Sequence, residues 1–315
     1  VNFLQIFDLA IAWCWKYDAD FVVQIDRECG RRGVFSYLIH PHNLFETMHK
    51  MDAGELGFRV FFDRASDQEE DFDGLVDLMK SYGVEMINES EMTSWACDKA
   101  TMHLEFLTHG INVPYTMILP PYDENPHLDS AALDRLGKPF VIKPAYGGCG
   151  DGVILDAQSI QDVQKARAEF SDDKYLVQEK IIPGQIGGRR TWFRVFYVCG
   201  EVLPCWWDDQ TKIADILSSS QINQRIYSEI ERITRKIASV CELDLFSTEI
   251  ALDSSRKLLV IDHVNDQVDL RKKSAHFDGI PDEVVDRIVG GLVDWVHRRV
   301  SKTSTRTELI RCKKI

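Results

Sequence analysis

Lys143 follows a short apolar strand, Phe140 to Ile142, and precedes a loop with four glycines in six residues: Gly147, Gly148, Gly150 and Gly152. Glycine tolerates positive φ and lets backbone amides approach a ligand closely. Successive N–H groups turned into one concavity hold an anion. A lysine on the strand before them adds a point charge for phosphate oxygens. A second apolar run, Val153 to Leu155, closes the loop. The segment therefore reads as a β-hairpin flap over a polyphosphate. It is not a P-loop, where the lysine ends the glycine run and the chain enters a helix. Taken alone, an ordinary glycine-rich hairpin explains the loop equally well.

The elements that must position this flap alternate along the chain. Leu9–Trp15, Val34–Ile39, Arg59–Phe62 and Val84–Ile87 read as strands. Asp20–Gly33, a segment from Asn43 to Met51, and Asp67–Tyr82 read as helices between them. That rhythm predicts a small parallel sheet with helices on its faces. No glycine fingerprint follows the first strand, so a Rossmann dinucleotide site is disfavoured. A helix over 94–109 and a strand over 115–119 lead to the turn-rich linker 120–126. After the flap come a helix over 159–170, a strand over 175–182, and a hairpin of 191–199 with 201–207. A long helix over 220–242, a hairpin of 246–251 with 258–261, and a helix over 281–300 complete the chain.

Composition narrows the function classes. Of 315 residues, 44% are hydrophobic and 28% charged, as in a soluble globular chain, and the formal charge is −13. An acidic surface disfavours nucleic acid and anionic membranes as partners. It also means that a polyphosphate needs local basic residues and a divalent metal. No apolar run is long enough to span a bilayer. None of the eight cysteines forms a Cys-x-x-Cys pair, which argues against zinc. Scattered thiols suit a reducing cytoplasmic compartment. The chain opens on Val1 rather than Met, which reads as a trimmed start, and no signal-peptide pattern is recognised.

Four features follow in order: Asp98-Lys99 opening a helix that leads into Gly110-Ile-Asn-Val-Pro-Tyr-Thr116; Lys143 with its glycine loop; the strand ending Gln178-Glu179-Lys180-Ile181; and a hairpin carrying Glu249, Asp262 and Asn265. In this order they resemble the ATP-grasp superfamily of carboxylate–amine ligases, typified by D-alanine–D-alanine ligases, glutathione synthetases and biotin carboxylases. The resemblance covers roughly 90–275 by motif. It implies an α/β chain, α+β overall, with an ATP-grasp fold preceded by a small parallel-sheet βαβ domain. The expected parts are the βαβ domain at 1–95, a connecting helix and strand at 96–138, a lid subdomain at 139–180, a C-terminal subdomain at 181–300 and a basic tail at 301–315. Lys99 and Lys143 would contact ATP phosphates, and the 147–152 loop would fold over them. Gln178, Glu179, Lys180 and Ile181 would offer backbone groups to adenine, with Glu179 at the purine edge. Arg194 would reach the γ-phosphate or an acyl-phosphate. Glu249, Asp262 and Asn265 would hold Mg²⁺ or Mn²⁺.

Strand geometry tests that metal set. A simple hairpin closed around Ser254-Ser255 places Glu249 opposite Val260 and Ser247 opposite Asp262. Alternation then puts Glu249, Val260 and Asp262 on one face. Asn265, three residues beyond Asp262, has the wrong parity and needs a bulge or the strand's end to turn inward. The family more often shows an acid two residues before this Asn, where this chain has His263. Imidazole is a poor Mg²⁺ ligand, so Asp262 is preferred over His263. The family also often places a carboxylate for the ribose two residues after the glycine that follows the adenine strand. Here Gly184 is followed by Gln185 and Ile186, and Gln185 is the candidate.

The substrate side carries fewer signals. Arg189 and Arg190 suit an anion or a solvated loop. Trp206 and Trp207 are adjacent on a strand, so one faces the core and the other is free to face a cleft. Asp266, Asp269 and Arg271 follow the metal hairpin, and Arg271 suits a carboxylate. His40, His42, Asp63 and Arg64 lie near strand ends of the first domain, where core, cap or surface roles are the plainer reading. Cys149 reads as a small flap residue, since no partner base is evident. The expected activity is ligation: a small-molecule carboxylate attacks the γ-phosphate, and an amine attacks the acyl-phosphate. The alternatives are a kinase of the same fold acting on a hydroxyl, and an ATP-binding regulatory protein without turnover. A homodimer is compatible with the sequence.

Overall fold

The computed structural model describes residues 3–128, 130–148 and 150–312. Its contacts divide the chain into two units. One comprises Val1–Ser90, Val198–Glu201 and Asp269–Ile315, and the other Glu91–Tyr197 and Val202–Val268.

The first unit is built on a four-stranded sheet, in the order Ser36–Ile39, Gln5–Trp13, Leu56–Arg64 and Glu85–Ile87, with every neighbouring pair parallel. The central strand buries the continuous run Leu9 to Ala12, as a sheet covered on both faces requires. Helices Ala19–Arg32, Leu44–Asp52 and Asp73–Ser81 follow the first three strands. Phe61, Phe72, Leu75 and Met79 pack with Ala10 and Ala12 in its core. Gly33, at φ 70°, ends the first helix and donates its N–H to the carbonyls of Cys29 and Gly30. The last helix, Asp282–Cys312, runs past Val300, where the sequence reading ended it. No glycine or proline interrupts residues 301–312. The segment expected as a tail is therefore helical through Cys312, and residues 313–315 lie outside the described residues.

The second unit contains two main sheets. The smaller has the order Thr116–Leu119, Tyr175–Glu179, Phe140–Pro144 and Ile154–Ala157. One of its faces packs Phe140, Ile142 and Val177 against Val163 and Ala166 of the helix Ile160–Glu169. That helix starts at a capping box, in which Ser159 accepts from the Asp162 N–H and the Asp162 carboxylate accepts from the Ser159 N–H. The larger sheet has the order Ala214–Ile216, Glu201–Trp207, Trp192–Val198, Leu245–Leu252 and Leu258–Asn265. The helix Gln224–Cys241 presents Ile226, Ile230, Ile233 and Ile237 to one face, where Phe193, Val195, Trp206, Phe246 and Val260 meet it. Strand alternation sends the intervening side chains to the opposite face.

The expected helix over 94–109 is two helices, Ser90–Cys97 and Lys99–Thr108. Asp98, in extended conformation between them, caps the second by accepting from the N–H groups of Ala100 and Thr101. The short strand Ala214–Ile216 and the two-residue ribbon Gln185–Ile186 with Arg189–Arg190 have no counterpart in the sequence reading.

Candidate active site

The site's acidic residues owe their placement to irregular pairing. The strands Leu245–Leu252 and Leu258–Asn265 pair Leu252 with Leu258, Ala251 with Leu259 and Ile250 with Val260. The register then shifts on both sides of Glu249, so that Glu249 faces Asp262 and Ser247 faces Asn265. This corrects the simple hairpin, which set Glu249 against Val260. Val260 instead points to the helix-covered core, as does Val264. Directly opposed residues bring their Cβ atoms to about 4.5–5.5 Å. Asp262 and Asn265, three residues apart, share a face because the strand bulges between them. His263 is turned away and fully buried, its ring beside Phe106 at 5.4 Å and His103 at 5.6 Å between centroids.

Lys143 reaches this hairpin from the smaller sheet. The residue before it, Ile142, packs in that sheet's core, so Lys143 points out of the opposite face. Its Nζ donates to the carbonyl oxygen of Ile261 at 2.8 Å. The ammonium thus rests beside Asp262 while the side chain is buried. Burial pushes its pKa down; Asp262 and Glu249 oppose that, and Lys99 adds to it. The same lysine lies near the two histidines. Burial first and Lys143 second hold His103 down at about 4. Burial and the same lysine keep His263 well below its ordinary value. Both imidazoles are neutral near pH 7.

Glu249 feels the arrangement most. Burial first and the Asp262 charge second push its carboxyl pKa up. Arg194, Lys212 and the Trp192 indole counter them, the last by donating its N–H to Glu249 Oε2 at 2.8 Å. Arg194 contacts the Ser247 hydroxyl at 3.4 Å and lies over the Trp207 ring, 5.0 Å from its centroid. Two opposed carboxylates in a partly buried setting repel one another. A hard divalent cation relieves that repulsion, and Glu249, Asp262 and the Asn265 amide offer it oxygen donors. No group of three or more His, Cys, Asp or Glu side chains that could hold a metal occurs among the described residues. A metal held here would therefore have two carboxylates and an amide as its protein donors.

The flap is tied at its base. Lys99 Nζ donates to the Gly147 carbonyl, and the Lys99 N–H to the Ala145 carbonyl at 3.0 Å. The Tyr146 N–H donates to Asp173, while Lys174 pairs with Asp98. Gly147 and Gly150 take φ of 96° and 80°, in the region that favours glycine. Cys149 lies outside the described residues.

The segment expected to face adenine is paired with the strand of Lys143. Glu179 sits opposite Phe140 and Leu176 opposite Lys143. Three residues of strand separate the two positions by about 10 Å. Glu179's carboxylate accepts the Tyr115 N–H at 2.7 Å, Gln178 is buried with its amide on Thr116, and Lys180 pairs with Asp156. These three side chains therefore brace the strand. Ile181 follows them, and Gln185 is exposed in the short ribbon opposite Arg190.

The remaining candidates divide. Trp206 packs against Phe193 in the core, and Trp207 takes the Arg194 face. Arg190 grips Asp209 in a fork, and Arg189 lies 3.4 Å from Asp215. Asp266 accepts from the Cys97 thiol at 3.0 Å. In the first unit, Arg271 grips Asp269 and Asp278, Arg64 grips Asp18, and Asp63 accepts from the N–H groups of Ala65 and Ser66. His40 and His42 share a contact of 2.9 Å between their Nδ1 atoms. Trp192, Lys212 and the His103–His263 pair were not anticipated. Trp192 could have been found, since it is two residues from Arg194 on one strand and must share its face.

Three comparisons bear on this arrangement. A family model described as a RimK-like ATP-grasp domain matches residues 96–281. No curated protein matches the chain. Among solved structures, D-alanine–D-alanine ligase from Bacillus anthracis complexed with ATP is similar at a TM-score of 0.66 and 12% identity, over 96% of this chain and 99% of that one. A RimK domain ATP-grasp protein from Sphaerobacter thermophilus is similar at a TM-score of 0.62 and 18% identity, over 91% and 98%. The ATP-grasp ligase PsnB complexed with minimal precursor, Mg and ADP is similar at 0.62 and 11%, over 92% and 98%.

Proposed function

The chain belongs to the RimK-like ATP-grasp family, and from that premise we propose that it is an ATP- and Mg²⁺-dependent ligase. It activates a substrate carboxylate as an acyl-phosphate, which an amine then attacks. The observation that carries this reading is the meeting of Lys143 with the Glu249–Asp262 pair, through the 2.8 Å bond from Lys143 Nζ to the Ile261 carbonyl.

The nucleotide's base would lie near Glu179 to Ile181 and its phosphates near Lys143. The separation of about 10 Å along the paired strands suits that span. Lys143 and Lys99 would lie along the phosphate chain and supply positive charge to it. Arg194, held at the Ser247 hydroxyl and the Trp207 ring, presents its guanidinium where negative charge grows as the phosphoryl group moves. Glu249, Asp262 and Asn265 would hold Mg²⁺, which when bound neutralises charge on the phosphates. Little covalent chemistry is asked of the protein: it positions the reactants and stabilises charge. The six free cysteines among the described residues fit a cytosolic setting.

The test is Mg²⁺-dependent ADP release across panels of carboxylic acids and amines, with the products identified. A condensed product is expected. Lys143→Ala should lower turnover roughly 100- to 1000-fold. A phosphorylated hydroxyl without condensation would make the enzyme a kinase. Nucleotide binding without any acid-dependent turnover would make it a binding protein. Full turnover in Lys143→Ala would overturn the assignment of that residue.

A further inference from the structure

A cavity at the foot of the flap has no part in the scheme above. Pro144 follows Lys143 on the strand Phe140–Pro144 and so points away from the reactive face. There it lines a cavity of about 810 Å³, whose apolar walls are Pro120, Pro121, Pro144, Tyr146 and Phe170. The walls are already fastened. Arg167 Nη2 donates to the carbonyls of Pro120 and Asn125 at 2.7 Å each, and the Asp123 N–H to the Ser171 carbonyl at 3.1 Å. On the flap side the Tyr146 N–H donates to Asp173 at 3.0 Å. Four carboxylates line the same space from three segments: Glu124 from the linker, Asp151 from the glycine loop, and Asp172 and Asp173 from the turn before Tyr175. The cations bordering it are committed elsewhere, Lys174 to Asp98, Lys99 to the Gly147 carbonyl and Arg167 to the linker carbonyls. Counting those three, and Asp98 and Asp123 with them, acids still outnumber bases. Among the described residues the carboxylates of Glu124, Asp151 and Asp172 have no hydrogen-bond or ion-pair partner.

We propose that this cavity is an effector site for an aliphatic polyamine. Its ammonium groups meet the carboxylates of Glu124, Asp151 and Asp172, and its methylene chain lies along the prolines and the two rings. The halves are complementary: the ligand has only donors and methylenes, and the cavity offers carboxylate acceptors and apolar walls. A peptide fits less well. Pro120, Pro121 and Pro144 have no N–H, so a peptide's carbonyls would go without donors along that wall. An inorganic dication gains nothing from the apolar surface. A consequence for the flap rests on the ligase reading, in which the glycine loop covers the nucleotide's phosphates. The Asp151 charge opposes that task, and an ammonium group bound to it removes the opposition. Polyamine and nucleotide should then each raise the other's affinity by the same factor.

The site is tested by calorimetric titration of spermidine into the nucleotide-free full chain at physiological ionic strength, where diffuse surface attraction is screened. The unaltered protein is compared with Glu124→Gln/Asp172→Asn, which alters two exposed side chains. Loss of two charged contacts should weaken binding about tenfold or more. Equal affinity in the two proteins means attraction to an acidic surface only, and overturns the site. So does absence of binding to the unaltered protein. If the double variant does not fold, ¹⁵N NMR of the unaltered protein decides: spermidine-dependent shifts at Tyr146–Gly148 and Asp172–Lys174 support the cavity, and no shift there refutes it. A second titration reads ADP with Mg²⁺, with and without saturating spermidine. ADP should bind about fivefold tighter or more in the unaltered protein, with no change in the double variant. Equal ADP affinity with and without spermidine in the unaltered protein overturns the coupling to the flap. Failure of ADP and Mg²⁺ to bind at all overturns the ligase reading, and the first titration still decides the polyamine site.

Discussion

Glu249→Gln should stabilise the metal-free protein and remove its response to magnesium. Glu249 faces Asp262 directly across the strand pair. Taking the charges to be as far apart as directly opposed Cβ atoms, about 5 Å, an effective dielectric constant near 20 gives a repulsion of about 3 kcal/mol when both are charged. Partial exposure to water reduces this to about 1–2 kcal/mol. Glutamine keeps an oxygen for the Trp192 N–H, so the substitution removes charge without stranding a donor. The dependence on pH has a definite sign. Burial and Asp262 raise the Glu249 carboxyl above its ordinary 4.5. In that window the folded chain binds more protons than the unfolded one, so wild-type stability falls as pH rises through it. The advantage of the glutamine variant should therefore grow as pH rises above the ordinary carboxylate range and shrink on acidification. In a thermal melt, about 1–2 kcal/mol corresponds to roughly 1.5–3 °C for a chain of 315 residues. Adding Mg²⁺ should raise the wild-type midpoint and leave that of the variant unmoved. The reasoning fails if, in EDTA, the variant melts at or below wild type at pH 8. It fails equally if both proteins gain the same stability from Mg²⁺.

Three further outcomes are expected. Trp192→Phe removes the donor that holds the Glu249 carboxyl down, so the acid limb of Mg²⁺-dependent turnover should move to higher pH, as read from a pH–rate profile. Arg64→Ala strands Asp18, since both side chains of that pair are 3% exposed. It should cost about 3–5 kcal/mol in a urea titration, and a neutral apolar replacement of both partners should cost much less. Lys99→Met unties the Gly147 carbonyl. Amide exchange should quicken at residues 146–148, while the helix Lys99–Thr108, capped by Asp98, should be unaffected.

The sequence carried the broad plan because its signals were local. Four apolar runs between amphipathic segments sufficed for a parallel sheet, and Phe140–Ile142 followed by Lys143 and glycines sufficed for a flap. What stayed hidden depended on pairing over distance. Simple alternation from the Ser254-Ser255 turn aimed Val260 and Asp262 the same way. Two register shifts around Glu249 break that count, and no residue in Leu258–Asn265 announces them. The hydrogen bond from Trp192 to Glu249 joins residues 57 positions apart, beyond the reach of any periodicity. Asp98, recognised as the start of a helix, proved to separate two helices rather than open one long one. The hydrogen bond from the Tyr115 N–H to the Glu179 carboxylate joins residues 64 positions apart and is equally out of reach of a local pattern. Carboxylates and amides look alike in sequence whether they await a ligand or brace a loop.

The irregular edge at Leu258–Asn265 bears on any effort to make the protein more robust. Deleting one residue there, or choosing side chains that favour an even ladder, would reward the hairpin with better pairing. The same edit would rotate Asp262 or Asn265 out of reach of Glu249. A screen that selects only for heat tolerance would therefore tend to collect inactive variants in this strand, and their thermostability would give no warning of it.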